Sequence, residues 1–226
     1  KSGAIIFDGG SSSEDQVGRY RIFPYMKYLG YQKIQIAVIS HMDIDHYSGI
    51  KELLEMGKIK YLGLPEIPKD ETMKKIIGIA KKRGTTIFYL SRGRQITTKD
   101  GSLKVLHPQK NSQMEKNAAS LVMQGKILGY RVLLTGDVEK EGEEELLSEE
   151  LERADILKAA HHGSKNSTSN EFLQKVQPKQ TVISCGKQNR YGHPHLETIH
   201  RLQTYRTKIY RTDRSGAIIF FKRRDG

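Results

Sequence analysis

The sequence has almost no cysteine: Cys185 stands alone among 226 residues. No intrachain disulfide can form, and cysteine-rich zinc sites are excluded. Any metal must therefore be held by histidine and carboxylate. Long hydrophobic runs are also missing. The longest, such as Ala217-Ile218-Ile219-Phe220-Phe221, have the length of a strand and fall far short of the roughly 20 apolar residues that span a bilayer. Neither a signal peptide nor a low-complexity linker is visible, and Ser11-Ser12-Ser13 is a short loop. Few aromatics sit beside the basic residues, so a surface that stacks single-stranded bases is not evident.

Basic charge is what the chain has in surplus. Lys and Arg number 38 against 26 Asp and Glu, a net charge of +12. This favours a polyanionic partner, nucleic acid or an anionic membrane surface, over the plainer reading of a soluble protein that happens to be basic. Hydrophobic residues make up 36% of the chain and recur along its whole length, so a folded globule with a substantial core is expected. The chain opens on Lys1 and runs almost at once into a strand-like stretch. It is read as a single domain over 1–226, excised from a larger protein.

Periodicity and turn residues predict the elements. Strands are expected at 4–7, 34–40, 59–64, 87–90, 95–98, 103–106, 156–160, 181–185 and 217–221. A hairpin is expected from 120–124 and 131–135 around Gly129. Helices are expected at 17–29, 48–56, 69–83, 139–151, 170–176 and 196–204. Sheets covered by helices follow, an α/β architecture. The segments 2–7 and 215–220 are both Ser-Gly-Ala-Ile-Ile-Phe, which a shared need for a glycine-led strand explains as well as duplication does.

Four clusters carry chemistry. His41-x-Asp43-x-Asp45-His46 places four potential ligands in six residues, after a buried strand and before a helix. Imidazole and carboxylate suit Zn²⁺ or Mn²⁺, and a strand-to-helix loop lets such side chains converge. Gly136-Asp137 presents a carboxylate at a strand tip. Alone it reads as a turn or cap; beside the first cluster it reads as a ligand bridging two metals. His161-His162-Gly163-Ser164-Lys165 ends another strand. Neighbouring side chains on an extended chain point to opposite sides, so one histidine is expected to ligate metal, His161 being favoured. The other would orient it or act on substrate. Ser164, Lys165, Asn166 and Ser167 can donate to a phosphate. The fourth cluster, Asn189-Arg190-Tyr191-Gly192-His193-Pro194-His195, opens a helix, where Arg190 suits an anion and either histidine can complete the metal shell. His107 and His200 are read as structural or surface residues.

Asp8-Gly9-Gly10, the His41–His46 segment, Gly136-Asp137 and His161-His162-Gly163-Ser164 occur in that order, each after a strand. In this the chain resembles the metallo-β-lactamase fold superfamily. Segment 17–30, Asp43 within the metal loop, 117–122 leading to 134–137, and 189–195 resemble the C-terminal hydrolase-like domain of the ComEC/Rec2 competence proteins. The resemblance covers nearly the whole chain. It implies a four-layer αββα sandwich, trimmed here of its opening strand, and two divalent metal ions, Mn²⁺ or Zn²⁺. His41, Asp43, Asp45, His46, Asp137 and His161 would hold them, with Asp8 supporting the metal loop. Asp45, His162, His193 and His195 would act in catalysis, and Ser164, Lys165 and Arg190 would bind substrate.

The activity implied is a metal-dependent nuclease degrading the non-transported strand of DNA during uptake. It would bind the phosphate backbone without sequence preference. The domain itself would be soluble, outside the cytoplasm, on a membrane protein. A phosphodiesterase or esterase on a small or cell-wall substrate, and a non-catalytic DNA-handling module, are the alternatives. Two departures stand out. Asp43 replaces a histidine of the superfamily, and the stretch Lys116-Asn117-Ala118-Ala119-Ser120 lacks its lone histidine. The harder ligand set that results favours Mn²⁺ more than a standard zinc site does.

Overall fold

A computed structural model describes residues 3–115, 117–149 and 151–222. The chain divides into two compact units, 1–91 with 109–116, and 92–108 with 117–226.

The first unit is built on four parallel strands in the order β1-β2-β3-β4: β1 (Ala4–Phe7), β2 (Ile34–Val38), β3 (Ile59–Pro65) and β4 (Thr86–Leu90). Parallel neighbours need long crossovers, and helices supply them. A π-helical turn, Gly18–Ile22, runs into α1 (Phe23–Tyr28); α2 (Ile44–Glu55) and α3 (Glu71–Lys82) follow β2 and β3. Ile50, Leu53 and Leu54 of α2 and Met73, Ile76 and Ala80 of α3 recur at helical spacing and are buried with Ile34, Ala37, Leu62 and Leu64 of the sheet. Asp70 caps α3, its Oδ1 accepting the Met73 N–H at 2.7 Å. Because the strands are parallel, their carboxyl ends share one edge. That edge carries Asp8 after β1 and Ser40-His41 after β2.

The second unit holds a seven-stranded sheet in the order β11-β10-β9-β8-β7-β6-β5. Its members are β5 (Gln95–Thr98), β6 (Gly101–His107), β7 (Val122–Ile127), β8 (Tyr130–Leu134), β9 (Ile156–Lys158), β10 (Gln180–Ile183) and β11 (Lys208–Arg211). Pairing is antiparallel from β5 to β8 and parallel from β8 to β11. The β7–β8 turn takes positive φ at Leu128 (51°) and Gly129 (86°), the twist a two-residue hairpin needs. Helices α4 (Lys140–Leu147), α5 (Asn170–Val176), α6 (Leu196–Thr204) and the single turn α7 (Thr212–Ser215) complete the unit. Phe172, Leu173 and Val176 of α5 and Leu202 of α6 are buried with Leu133, Leu157 and Ile183 of the sheet. Among the described residues, no helix is long and apolar enough to cross a membrane.

Besides end shifts, such as β7 at Val122–Ile127 in place of 120–124 and β10 ending at Ile183 in place of 185, the structure departs from the expected elements as follows. Helix α2 begins at Ile44, so Asp45 and His46 lie in its first turn and not on a loop. Helix α4 ends at Leu147, short of 151, with Glu150 outside the described residues. Strand β9 stops at Lys158, and Ala160–Gly163 forms a 3₁₀ turn. The strand expected at 217–221 is irregular; the last strand is Lys208–Arg211, which pairs with β10. Phe220 instead sets its ring edge-on to Tyr130 and Tyr210 at 6.1 and 6.0 Å.

Candidate metal centre

In the first unit the chain leaves β2 through Ser40 and His41 and enters α2 at Ile44. Asp8, just past β1, takes the left-handed conformation (φ 56°), which a short polar side chain tolerates. Its N–H still donates to Val38 O at 2.9 Å. Its carboxylate then organises the segment. Oδ1 accepts the Ser40 N–H at 2.7 Å and Oδ2 accepts the Ser40 hydroxyl at 2.8 Å. Oδ2 is also 2.8 Å from His46 Nδ1. The Ser40 hydroxyl, having donated to Asp8, accepts from His41 Nδ1 at 3.0 Å.

These bonds fix both tautomers. His41 and His46 each carry their proton on Nδ1, and each keeps a lone pair on Nε2, the form a metal ligand requires. Burial would raise the Asp8 pKa, but His46 beside it, with His41 and the Ser40 N–H, holds it below the usual carboxylate range. The glycines after Asp8 and within α2 permit the close approach. A Cβ on Gly49 would lie 2.5 Å from Gly9 O.

His41 Nε2 is buried and has no hydrogen-bond partner among the described residues. Asp43 Oδ2 lies 3.6 Å from it. Asp43 occupies the position before the first turn of α2 without capping it by its side chain. Asp45 is in that first turn, where a negative charge is favoured by the helix dipole. Two histidine lone pairs and two carboxylates suit a divalent cation, and the buried, unbonded Nε2 is the observation that fits one.

In the second unit β8, β9 and β10 run parallel and end toward the other three clusters. Asp137 follows Gly136 (φ 52°) beyond β8 and is buried. Its N–H donates to Ser120 Oγ at 3.2 Å. Lys158, whose Nζ donates to Gly136 O at 3.1 Å, lies 3.8 Å from Asp137 Oδ1. The two histidines are not on an extended strand. His161 and His162 both take left-handed φ, 45° and 53°. The alternation of sides expected for them therefore does not apply.

Gly163 continues that turn at φ 84°, where a Cβ would come within 2.6 Å of Pro194 Cβ. His162 Nδ1 donates to Ser184 O at 2.6 Å, which leaves the Nε2 lone pair facing Asp137 Oδ2 at 3.1 Å. Two acceptors turned on one another are reconciled by a cation or by a second ring proton. His161 faces Glu139, Nδ1 to Oε1 at 2.8 Å, with Nε2 4.0 Å from Asp137 Oδ2.

His193 packs among the other rings, with centroids 5.4 Å from His161, 6.2 Å from His162 and 4.9 Å from His195. Burial, then the neighbouring His161, His195 and His162, lowers its pKa to about 4, so it is neutral at pH 7. His195 Nδ1 accepts the Lys165 N–H at 3.1 Å. Arg190 stacks on Tyr191, 4.8 Å from the ring centroid. Lys165 is exposed, whereas Ser164 is buried, its Oγ accepting the Asn166 N–H at 3.3 Å. His107 is buried between Ala118 O and Glu145, at 2.6 and 3.1 Å, and burial lowers its pKa first of all. Lys116 lies outside the described residues; Ala118 and Ala119 beside it are buried.

The loop that bears the two histidines is tied down by residues outside the sequence motifs. Arg201 of α6 donates from Nε to Thr168 O (3.1 Å) and from Nη2 to Lys165 O (2.9 Å) and Ser167 O (3.0 Å). The Glu143 carboxylate of α4 accepts the N–H groups of Thr168 and Ser169. Thr198 donates to Ser164 O at 2.8 Å. Ser40, Glu139, Ser184, Glu143 and Arg201 went unremarked in the sequence. Only Ser40 and Glu139, close to a ligand motif, carry any local signal.

The profile of the family described as the metallo-beta-lactamase superfamily matches residues 1–187. The chain is similar to ComE operon protein 3 of Bacillus subtilis, 38% identical over 93% of this chain and 27% of that protein. It is also similar to competence protein ComA of Neisseria gonorrhoeae, 30% identical over 98% of this chain and 30% of that protein. The chain thus spans under a third of the length of either relative. Among solved structures it is similar to the metallo-beta-lactamase fold protein YhfI from Bacillus subtilis. The TM-score is 0.59 at 15% identity, over 92% of this chain and 83% of that one.

Proposed function

This chain belongs to the metallo-beta-lactamase superfamily, and from that premise we propose that it is a metal-dependent phosphodiester hydrolase that cuts DNA during uptake in natural transformation, degrading the strand that is not transported. The observation that carries the metal part is the Asp8–Ser40 network. It places the ring protons of His41 and His46 on Nδ1 and leaves His41 Nε2 buried with no hydrogen-bond partner among the described residues. The DNA part rests on the net charge of +12 and on the likeness to a relative named as a competence protein.

Two divalent ions, Mn²⁺ or Zn²⁺, would be held by the set that the superfamily resemblance implies, His41, Asp43, Asp45, His46 and Asp137 with one histidine of the His161-His162 pair. His162 takes the ligand role expected of His161, because its Nδ1 is committed to Ser184 O and its Nε2 faces Asp137. When bound, such ions supply the Lewis acidity that displacement at phosphorus needs. Asp8 keeps the rings of His41 and His46 in the ligating tautomer. His161, His193 and His195 would face the substrate as imidazoles able to hold or pass a proton near the leaving oxygen. Lys165 and Arg190 attract the phosphates. Ser164, buried in its loop, positions that loop and does not bind substrate. In the parent protein this domain lies on the outer side of the cell membrane.

The test is cleavage of linear DNA by the 226-residue chain across a panel of divalent metals. Mn²⁺ is expected to support cutting, and Asp45→Ala or Asp137→Ala to abolish it with the fold intact by circular dichroism. A wild-type chain that binds DNA but cuts it with no divalent metal removes the nuclease reading.

A further inference from the structure

Between Asp15 and Asp43 the chain has no carboxylate side chain, yet it has Arg19, Arg21, Lys27 and Lys33 together with Tyr20, Tyr25, Tyr28 and Tyr31. The π-helical turn and α1 sort these residues. Met26 is buried, and Ile22 and Phe23 pack against the core of the first unit. Three rings point the other way: Tyr20 is 64% exposed, Tyr25 45% and Tyr28 84%. Tyr25 and Tyr28 stack on one another, centroids 6.4 Å apart and planes at 23°. The i→i+5 bonding of a π turn, here Phe23 N–H to Gly18 O, sets Tyr25 about one turn beyond Tyr20.

Cations share the segment with these rings. Arg19 and Arg21 flank Tyr20, and the ammonium groups of Lys27 and Lys58 lie 6.0 and 5.0 Å from the Phe23 centroid. Acidic neighbours are few: Glu52 accepts the Arg19 N–H, and Glu14 lies 3.9 Å from Arg21.

Few aromatics sit beside basic residues over the chain as a whole, but this segment gathers three exposed ones, and we propose that 18–29 is a stacking platform for single-stranded DNA. The inference takes its polyanion from the reading above and needs none of its metal chemistry. Aromatic faces beside cations match the two things an unpaired strand exposes, base faces and phosphates. A duplex keeps its base faces stacked inside and offers only phosphates, so the tyrosines add nothing to its binding. An anionic membrane would also draw the cations, but an interfacial helix buries a face of fully apolar side chains such as Leu, Phe and Trp, and Phe23 here is turned to the core. Leu29 is the one exposed aliphatic among the described residues of this segment. The surface therefore fits a nucleic acid strand better than a lipid one.

The chain has 11 tyrosines and no tryptophan, so its intrinsic fluorescence is a direct reporter. Oligo(dT) of about 20 nucleotides, a duplex of equal length and vesicles of phosphatidylglycerol are each titrated into the 226-residue chain in EDTA. Oligo(dT) is expected to bind more tightly than duplex and to quench tyrosine emission. Tyr28→Ala and the triple Tyr20→Ala/Tyr25→Ala/Tyr28→Ala variant should bind oligo(dT) about tenfold or more weakly, with duplex binding changed less than about twofold. The triple Phe variant should bind as wild type does, which separates lost stacking from lost folding. Tyrosine variants that bind oligo(dT) like wild type, a wild type that prefers duplex, or tyrosine-dependent capture by vesicles without oligo(dT) binding each overturn the platform. Because no metal is present, this result stands apart from the cleavage assay, and either reading can fail alone.

Discussion

His41 and His46 of the first unit share one carboxylate and one hydroxyl, Asp8 and Ser40, and both rings are buried. The histidines of the second unit pack ring to ring, and each polar partner is a different one: Glu139 beside His161, Ser184 O for His162 and the Lys165 N–H for His195. His193 sits with three other histidine rings and that of Tyr191 within 6.2 Å, and His161 and His162 ride on a left-handed turn. In the first unit, hydrogen bonds to the Asp8 and Ser40 oxygens place the proton of each ring on Nδ1. In the second, burial ahead of the neighbouring rings holds His193 neutral with a pKa of about 4, while the loop after His162 is held by a clamp on main-chain atoms. The first arrangement suits groups that must stay fixed through a reaction. The second suits groups that meet a substrate.

The sharpest way to break this contrast is at Asp8. Asp8→Ala removes the acceptor of three hydrogen bonds. It is expected to lower metal affinity by about 10- to 100-fold, read by metal titration of the purified chain. An unchanged affinity would mean the ring tautomers do not matter to binding. Next comes the clamp. Arg201→Ala frees the carbonyls of Lys165, Ser167 and Thr168 and should cost about 2 kcal/mol in urea unfolding. Arg201→Lys should recover part of the loss, since the charge remains but the fork does not. If the loop is instead held by the sheet alone, both variants will unfold like wild type.

The smallest effect concerns pH. Burial raises the pKa of Glu143 above its ordinary value, although the Ser169 and Thr168 N–H groups pull it down. A carboxylate with a raised folded-state pKa contributes stability that is present below its unfolded value and lost as pH rises through the folded one. Glu143→Gln should therefore flatten the fall in stability on going from about pH 4 toward neutrality, measured by denaturant titration of the metal-free chain. A slope identical to wild type would show that Glu143 is ionised in both states with one affinity for protons.

Much of this was legible in the residues. β1, β5, α5 and α6 begin and end where periodicity and turn residues put them, because each is punctuated by a cap, a glycine or a polar break. The family and its fold also follow from the order of the motifs. The closing strand does not. Residues 217–220 repeat the Ala-Ile-Ile-Phe of β1, yet only the first copy finds a partner, β2. At the other end the place beside β10 belongs to Lys-Ile-Tyr-Arg, 208–211. A strand is completed by its neighbour, and local hydrophobicity cannot name that neighbour.

The donors of the metal site were likewise legible as residue types, but not as atoms. Which nitrogen of His162 is committed depends on Ser184 O, a main-chain oxygen that no side-chain pattern marks. The clamp residues Glu143 and Arg201 lie 25 and 33 positions from the Thr168 they hold, a separation at which spacing carries no signal.

One further consequence lies in how the chain is threaded. It passes from the first unit to the second after residue 91, returns for 109–116, and leaves again. Neither unit is a continuous stretch of gene. Neither can be cut out, swapped between relatives or evolved as a cassette by a single recombination at one boundary. Chimaeras joined at residue 91 or 108 would leave 109–116 with foreign neighbours. The chain is therefore expected to be inherited and exchanged whole, with drift confined to substitutions inside it.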